Sequence, residues 1–227
     1  MEHFLSNFKL DINTSVYLKD PESSKLGKKI ISGSIDIIED IGFESFTFKK
    51  LANKIGSTEA SVYRYFENKH KLLLYITSWY WAWLESQLVF ALANIEDSHE
   101  QLRRAIKVVT TKVEEDGSFS HVNEVKLHNI IIAESSKVYF HKEVDKENKD
   151  GVFSGYKNIV ERIATIISTI NGVYPYANML VSTVIEGVHQ QRFFAQHLPR
   201  LTNNNDKEDV VPCFFEELIF KAIQEKK

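Results

Sequence analysis

The stretch Phe46–Lys71 constrains the fold of this chain most strongly, because it signals three helix starts in close succession. Thr47, Thr58 and Asn68 are residue types whose side chains cap helix N-termini, and Gly56 suits the positive φ at which a helix stops. After the first two caps, apolar residues recur at helical spacing: Phe48, Leu51, Ala52 and Ile55, then Val62 and Phe66. This spacing predicts two short helices with a tight joint, followed at once by a longer helix.

A helix, a short turn containing glycine and a second helix form the pattern of helix-turn-helix DNA-binding proteins. Helix pairs of this kind also occur in proteins that do not bind DNA, so the spacing alone does not decide the function. The second helix is expected to place Ser61, Tyr63, Arg64 and Tyr65 away from its apolar face, where they suit base edges and phosphates. The third helix begins with Lys69-His70-Lys71 at the positive end of its own dipole, which costs stability unless an anion such as a phosphate binds there.

These residues resemble the N-terminal domain of the tetracycline-repressor (TetR) family of transcriptional regulators. The resemblance is carried by Glu39-Asp40-Ile41-Gly42-Phe43, Phe46-Thr47, Leu51-Ala52, Gly56-Ser57-Thr58, Val62-Tyr63, Phe66 and Asn68-Lys69. Two positions depart from the family: Ser57 stands where an apolar residue is usual, and Glu59 places a carboxylate near the expected phosphates. The resemblance implies an all-α fold, with a three-helix DNA-binding domain and a C-terminal helical domain that binds a ligand and dimerises.

The candidate DNA-binding residues follow from docking the second helix in a DNA groove. Those predicted to contact phosphates are Thr47, Lys49, Tyr63 and Lys69. Those predicted at base edges are Ser61 and Arg64 with Ala60 or Tyr65, and Thr58 completes the set at the helix start. The charge distribution agrees, because residues 23–75 carry nine Lys and Arg against six Asp and Glu, a net charge of +3. Residues 1–22 carry a net charge of −2 and residues 76–227 a net charge of −4.

Composition favours long helices and a reducing environment. Only 9 Gly and 4 Pro occur in 227 residues, which argues against a turn-rich all-β fold. The single cysteine, Cys213, excludes an intramolecular disulfide and fits the cytoplasm. No apolar run reaches the length of a membrane span, and the N-terminus lacks the charge order of a signal peptide. We therefore expect a cytoplasmic protein without a membrane segment.

Three segments are expected: an irregular extension (1–22), the DNA-binding domain (23–75) and an effector-binding and dimerisation domain (76–227). The helix after Asn68 should continue from the second segment into the third. It carries aromatic rings on several sides, and apolar pockets favour aromatic walls. The candidate walls of a cavity for a small hydrophobic effector are Trp79, Trp83, Phe90, Ile130, His189 and Phe193.

Dimerisation is predicted from two long helices near the C-terminus. Apolar residues between Val152 and Ile170 step by three and four, in a stripe of coiled-coil type with a second stripe beside it. So wide an apolar face needs partners on two sides, and a second copy of the chain is the expected second partner. The TetR resemblance implies the same partner, because members of that family dimerise through their last long helices, which form a four-helix bundle. The candidate dimer residues are Tyr156, Ile159, Ile163, Ile166, Val184, Gly187 and Gln191.

Other chemistry has little support, because no phosphate-binding glycine loop, HExxH motif or cysteine pair occurs. The pairs His121/His128 and Glu186/His189 each lack a third ligand, so we expect neither a metal site nor a cofactor nor a catalytic site. The charged segment 141–150 is interpreted as a solvated loop or helix start.

The chain is thus interpreted as a homodimeric transcriptional regulator that binds a near-palindromic DNA operator. It is expected to be a repressor that its effector releases from this operator. An α-helical enzyme or lipid-binding protein that keeps the helix-turn-helix as scaffold is the alternative. A partner protein in place of a small effector is a third option.

Overall fold

A computed structural model describes residues 10–115, 119–205 and 207–224. In these residues every regular element is helical, and an isolated bridge between Asn205 and Glu208 is the nearest approach to a strand. The predicted all-α class is confirmed. None of the described helices is both long enough and apolar enough to cross a membrane.

The chain forms two compact units. Unit 1 comprises residues 1–82 and 113–154, and unit 2 comprises residues 83–112 and 155–227. The two units are defined by contacts within the fold, whereas the boundary predicted at residue 75 separates DNA binding from effector binding and dimerisation. That division of functions stays a prediction.

The helices that begin in unit 1 are α1 (Lys25–Ser45), α2 (Phe48–Ile55), α3 (Glu59–Tyr63), α4 (Lys69–Leu92), α6 (Glu124–Tyr139), α7 (Val144–Lys149) and α8 (Ser154–Ile170). Helices α4 and α8 continue into unit 2, which also contains α5 (Ser98–Thr110), α9 (Ala177–His197) and α10 (Val211–Ala222). Short 3₁₀ helices occur at Thr14–Val16, Pro21–Ser23 and Pro199–Leu201.

The predicted helix starts are confirmed by their capping bonds. Thr47 accepts the Lys50 N–H and Thr58 accepts the Ser61 N–H, each at 3.2 Å. The Asn68 side chain accepts the Lys71 N–H at 2.9 Å, at the start of α4. Gly56 ends α2 with φ 66° and ψ 43°, a left-handed conformation that glycine adopts without a Cβ clash. Local side chains therefore define the helix-turn-helix.

Helix α1 packs along α6 in unit 1, and the contact is organised around a bend near the C-terminus of α1. Gly42 leaves helical geometry with φ 75° and ψ 157°. The bend exposes the Phe43 N–H, which the buried Glu134 carboxylate accepts at 3.0 Å. Lys126 of α6 pairs with Asp36 of α1, so polar contacts hold the two helices together at more than one point.

The N-terminal extension is more ordered than the sequence predicted, as far as it is described. Residues 1–9 lie outside the described part, but Val16 is fully buried and Leu10 is nearly so. The Leu18 N–H donates to the Tyr65 carbonyl at 2.8 Å, and the Asn13 side chain donates to the Asp150 carbonyl at 2.7 Å. This segment belongs to the packed part of unit 1 because its apolar side chains are buried there.

The charged segment 141–150 is mostly exposed and contains a helix, in line with its interpretation as a solvated loop or helix start, but one of its acidic residues is buried. The buried residue is Glu147 of α7, which is 3% exposed. His70 contacts this carboxylate at 3.1 Å. Burial, His141 and Lys71 lower the pKa of His70 below its ordinary value, against the opposing effect of Glu147. An internal carboxylate thus lies beside the cationic start of α4, where a phosphate had been predicted.

Unit 2 packs α9 closely against α10. A Cβ at Gly187 would lie 2.8 Å from the Phe215 ring, so the glycine permits this approach. Arg192 of α9 is buried and donates to the Thr110 carbonyl and to Asp209, which lies 3.1 Å away. The guanidinium therefore joins α9 to the end of α5 and to the loop before α10.

Candidate nucleic-acid interface

The outer surface of α2 and α3 displays most of the residues predicted to contact DNA. The exposed ones are Thr47, Lys49, Thr58, Ala60, Tyr63 and Arg64, and Ser61 is half-buried. Val62 of α3 is fully buried, so the helix presents its other face outwards. The two short helices therefore present a continuous set of hydroxyl, aromatic and cationic groups.

Two side chains of α3 are held in place by neighbours. The Tyr63 ring packs edge-on against Phe48 of α2, with ring centroids 4.9 Å apart, while 48% of Tyr63 stays exposed. The Ser61 hydroxyl shares a hydrogen bond with the Thr58 hydroxyl at 2.9 Å. Both groups are therefore oriented by the protein and still reach the surface.

The cations of this surface fall into two groups. Lys50 donates to the Ser45 carbonyl at 2.8 Å, and Lys54 lies 3.8 Å from Asp36. Lys49 and Arg64 form no ion pair or side-chain hydrogen bond with any residue that the structure describes. They are therefore the two cations that can neutralise a phosphate or reach a base without first breaking an internal bond.

Lys69 was predicted to bind phosphate, but the structure places its ammonium group elsewhere. Its Nζ donates to the carbonyls of Phe43 and Glu44 at 3.1 Å each and to that of Phe46 at 3.4 Å. It also lies 4.7 Å from the centroid of the Phe43 ring. Lysine near a helix C-terminus satisfies carbonyls that the helix leaves unpaired, which explains this position.

Tyr65 was predicted as a possible base contact, and the structure corrects this. It is 2% exposed, and its hydroxyl lies 2.7 Å from the Ser24 hydroxyl at the start of α1. The side chain closes the core of the three-helix domain because α3 ends at Tyr63 and the chain turns inwards. Tyr65 therefore packs beneath the exposed face of α2 and α3 and is not part of that face.

The predicted effector walls are divided between the two units. Trp79 and Ile130 are buried in unit 1, where the gap beside Ile130 is too narrow to hold a water molecule. In unit 2, Trp83 and His189 are buried, Phe193 is half-buried and Phe90 is 59% exposed. Their role as ligand walls stays a prediction.

Unit 2 contains two open clefts that the prediction did not name. One of ≈ 740 Å³ is lined by Glu85, Gln101 and Arg162 among others. The second, of ≈ 820 Å³, is lined by Arg103 and Lys107 together with apolar atoms of α5 and α10. None of the predicted wall residues of unit 2 lines either cleft.

Most of the predicted dimer residues are buried inside the protomer. The fully or nearly buried ones are Ile159, Ile163, Ile166 and Val184, whereas Gly187 and Gln191 of α9 are half-buried. Tyr156 donates a hydrogen bond to Glu186 of the same chain at 3.0 Å. The apolar stripe of α8 is therefore part of the protomer core.

Other apolar side chains of α9 and α10 remain at the surface. The most exposed are Met179 at 66% and Phe214 at 55%, and Leu218, one turn after Phe214, is 39% exposed. Tyr176, directly before α9, is 58% exposed. The sequence analysis did not select these residues for the dimer interface. Helical periodicity shows that a helix has apolar faces, but it does not show which of them is covered within the chain.

Comparison with known proteins gives a family for the helix-turn-helix. Residues 30–76 match the sequence profile described as bacterial regulatory proteins, tetR family. No curated protein sequence matches the chain significantly.

Three solved structures illustrate the similarity of fold. A bacterial regulatory protein in the tetR family from Rhodococcus RHA1 is 13% identical with a TM-score of 0.61, over 90% of this chain and 100% of that chain. The transcriptional regulator FadR from Bacillus subtilis, in complex with stearoyl-CoA, is 17% identical with a TM-score of 0.61, over 86% and 98%. AibR, in complex with isovaleryl coenzyme A and operator DNA, is 17% identical with a TM-score of 0.55, over 85% and 98%. The predicted resemblance to the TetR family is confirmed.

Proposed function

We propose that this TetR-family chain is a DNA-binding transcriptional regulator that acts as a dimer and is released from its operator by a small hydrophobic ligand. The observation that carries the proposal is the surface of α2 and α3, where Lys49, Tyr63 and Arg64 are exposed on a capped helix-turn-helix. The family match over residues 30–76 and the operator DNA in the AibR structure support it. Such a regulator would work in the cytoplasm, where bacterial DNA lies.

The first test identifies the operator and then changes the two unpaired cations. Genomic fragments retained by the purified protein would be sequenced, and affinity for the selected duplex measured at several salt concentrations. Lys49→Ala should weaken binding to all duplexes alike and reduce the salt slope by about one. Arg64→Ala should reduce discrimination at one base pair by about 1–3 kcal/mol.

Arg200→Ala is the matched control, because Arg200 is exposed in unit 2, far along the chain from the helix-turn-helix. It should leave both the affinity and the salt slope unchanged. If Lys49→Ala and Arg64→Ala bound the operator as the wild type does, the proposed docking of α3 would be wrong.

Dimerisation is proposed through the exposed apolar side chains of α9 and α10. Met179, Phe214 and Leu218 are exposed on two helices that pack against each other through Gly187. Burial of such side chains against a second copy would remove apolar area from water, at about 25 cal/mol per Å². Two recognition helices related by a two-fold axis would then read half-sites about 34 Å apart or a multiple of it.

Phe214→Asp should split this dimer, because association would place a carboxylate in an apolar interface. Sedimentation velocity at micromolar concentration measures the result. Phe140→Asp is the control, since Phe140 is 85% exposed but lies in unit 1. A wild type that sediments as a monomer, or a Phe214→Asp variant that stays dimeric, would contradict the proposed interface.

The effector is proposed to be a small hydrophobic molecule, and fatty acyl chains, presented as acyl-CoA thioesters, are the first class to test. The support is the stearoyl-CoA and isovaleryl coenzyme A bound by FadR and AibR, together with the volumes of the clefts in unit 2, ≈ 740 and ≈ 820 Å³. Both volumes fall in the range of small-molecule sites.

Linkage supplies the test of this effector role. If the ligand weakens operator binding by a given factor, the operator must weaken ligand binding by the same factor. Titration of stearoyl-CoA with and without operator measures the effect of the operator on ligand binding, and titration of operator with and without stearoyl-CoA measures the converse. Equal ligand affinities in the two titrations would mean that the ligand does not regulate DNA binding.

The alternative, an α-helical enzyme or lipid-binding protein, predicts a different result. Such a protein would bind or convert the lipid but would show no salt-dependent affinity for duplex DNA. A regulator controlled by a partner protein would bind the operator and show no change on addition of any small ligand.

A further inference from the structure

Three side chains that are distant in sequence meet at the start of α4 in unit 1. His70 lies in the first turn of α4, His141 precedes α7 and Glu147 lies within α7. His70 Nε2 is 3.1 Å from Glu147 Oε1, and His141 Nε2 is 3.0 Å from Glu147 Oε2. One nitrogen or oxygen atom from each residue lies within 4.8 Å of the other two. The cluster thus brings two imidazoles to one carboxylate.

The carboxylate is buried and the two imidazoles are accessible. The side chain of Glu147 is 4% exposed, against 31% for His70 and 20% for His141. The imidazole rings therefore reach the surface, although His141 Nε2 itself is buried beside the carboxylate. Burial of a carboxylate is costly unless cationic or hydrogen-bonding partners compensate for it.

Two atoms of the cluster lack hydrogen bonds. His141 Nε2 and Glu147 Oε2 are buried, and neither forms a hydrogen bond with a residue in the described part of the chain. They lie 3.0 Å apart, but their contact does not have the geometry of a hydrogen bond. Their contact is an ion pair only if His141 is protonated, whereas an ion that both atoms coordinate would satisfy them with a neutral imidazole.

We propose that His70, His141 and Glu147 bind a divalent transition-metal ion of the zinc class. Two imidazole nitrogens and one carboxylate oxygen are a donor set that zinc takes in proteins, with a water molecule at the fourth position. The sequence analysis missed this site, because it considered only the pairs His121/His128 and Glu186/His189.

Two neighbouring groups must change when the ion binds. Lys71 Nζ lies 3.9 Å from Glu147 Oε1 and competes with a metal ion for the carboxylate. The Glu143 N–H donates to His141 Nδ1 at 3.3 Å, and coordination through Nε2 would place the ring proton on Nδ1. Glu143 is exposed, so water can replace this long bond.

The position of the site suggests regulation, a consequence that rests on the proposed function. Helix α4 begins shortly after α3, the proposed recognition helix, and His70 is its second residue. A metal ion would fix this first turn to α7 within unit 1. We therefore expect the metal-bound form to differ in operator affinity from the metal-free form.

The test uses the full chain with cobalt chloride as a spectroscopic probe and zinc chloride in competition. The wild type should bind one ion per protomer, with a visible cobalt absorption band that zinc abolishes. Glu147→Gln and His141→Ala should each weaken zinc binding by at least about 100-fold, since each removes a ligand. Lys71→Ala should strengthen zinc binding, because it removes the competing cation.

His99→Ala is the matched control, because His99 is an exposed histidine of unit 2 that stacks on Phe220. It should bind zinc as the wild type does. Circular dichroism checks that each variant is folded, and Lys71→Ala keeps the test informative if the ligand variants unfold, since its expected effect is a gain. Two results would overturn the metal site. They are an equal zinc affinity of the wild type and the His141→Ala variant, and a lower zinc affinity of the Lys71→Ala variant. Either would mean that the three residues form an ion-pair cluster only.

Operator binding with and without zinc separates the two proposals. A zinc-dependent change in the wild type that is absent in Glu147→Gln supports the regulatory consequence. The same operator affinity with and without zinc overturns that consequence while the metal site stands. A protein that binds cobalt but no duplex at any salt concentration overturns the proposed function and leaves the metal site established.

Discussion

The helix-turn-helix (Phe46–Lys71) and the C-terminal helices α8 to α10 are both amphipathic, but they differ in what determines their structure. In the first, each helix starts at a polar side chain that bonds a backbone N–H three residues later, as Thr58 does with Ser61. In the second, apolar residues of α8 and α9 are buried, and contacts such as that of Gly187 with Phe215 join residues far apart in the sequence. Local bonds can be identified from sequence, whereas the partner of an apolar face cannot. Three changes test this difference.

The largest effect is expected in α8. Ile163 is 1% exposed within the protomer, so Ile163→Ala should leave a cavity and lower the free energy of unfolding by about 2–5 kcal/mol. Urea unfolding at two widely separated protein concentrations measures the loss. The loss should be the same at both concentrations, because Ile163 packs within its own chain.

Thr165→Ala is the control on the same helix, since Thr165 is exposed. It should change the free energy of unfolding by less than about 0.5 kcal/mol. If Ile163→Ala lowered the free energy of unfolding only at concentrations where the dimer forms, Ile163 would lie in the dimer interface, as the sequence first predicted.

The contrast between the regions also explains which parts of the fold could be predicted. The three caps, the turn at Gly56 and the all-α class depend on residue types and short spacings, and all are found in the structure. The role of Val16, fully buried in the N-terminal segment, depends on a core assembled from distant residues. No local pattern around Val16 signals that burial.

A second, intermediate effect is expected from the interior of α9. Burial, with a smaller contribution from Arg192, lowers the pKa of His189 to about 4. The unfolded chain, with an ordinary histidine pKa of about 6.5, binds the proton more readily than the folded chain, so stability falls as the pH decreases from about 6.5 to 4. Between pH 7 and pH 5 this histidine should reduce the free energy of unfolding by about 2 kcal/mol.

His189→Gln isolates this effect, because it removes the titrating group and leaves the other ionisable residues in place. Urea unfolding of both proteins at several pH values gives the difference. The variant should lose less stability than the wild type on acidification, and parallel pH profiles would show that His189 is not buried in its neutral form.

The candidate DNA surface could be predicted only in part, for the same physical reason. Lys49 and Arg64 are exposed as expected, because their positions follow from the register of two short helices. Lys69 and Tyr65 were assigned by the same register, but their positions are determined by the carbonyls at the end of α1 and by Ser24. Exposure can be predicted from one helix, whereas the partner of a side chain requires the whole unit.

The smallest effect is expected at the cap of α3, where it tests the local side of the comparison. Thr58→Ala removes the acceptor of the Ser61 N–H and should cost about 1 kcal/mol, the usual contribution of an N-cap. Thr58→Ser keeps the hydroxyl and should retain most of this stability. Urea unfolding gives the total cost, and hydrogen exchange at the Ser61 amide shows whether the loss is local. Because α3 is only five residues long, its cap supplies a large share of the bonds that hold it. Unchanged exchange at Ser61 in the alanine variant would mean that packing of Val62, and not the local cap, maintains the recognition helix.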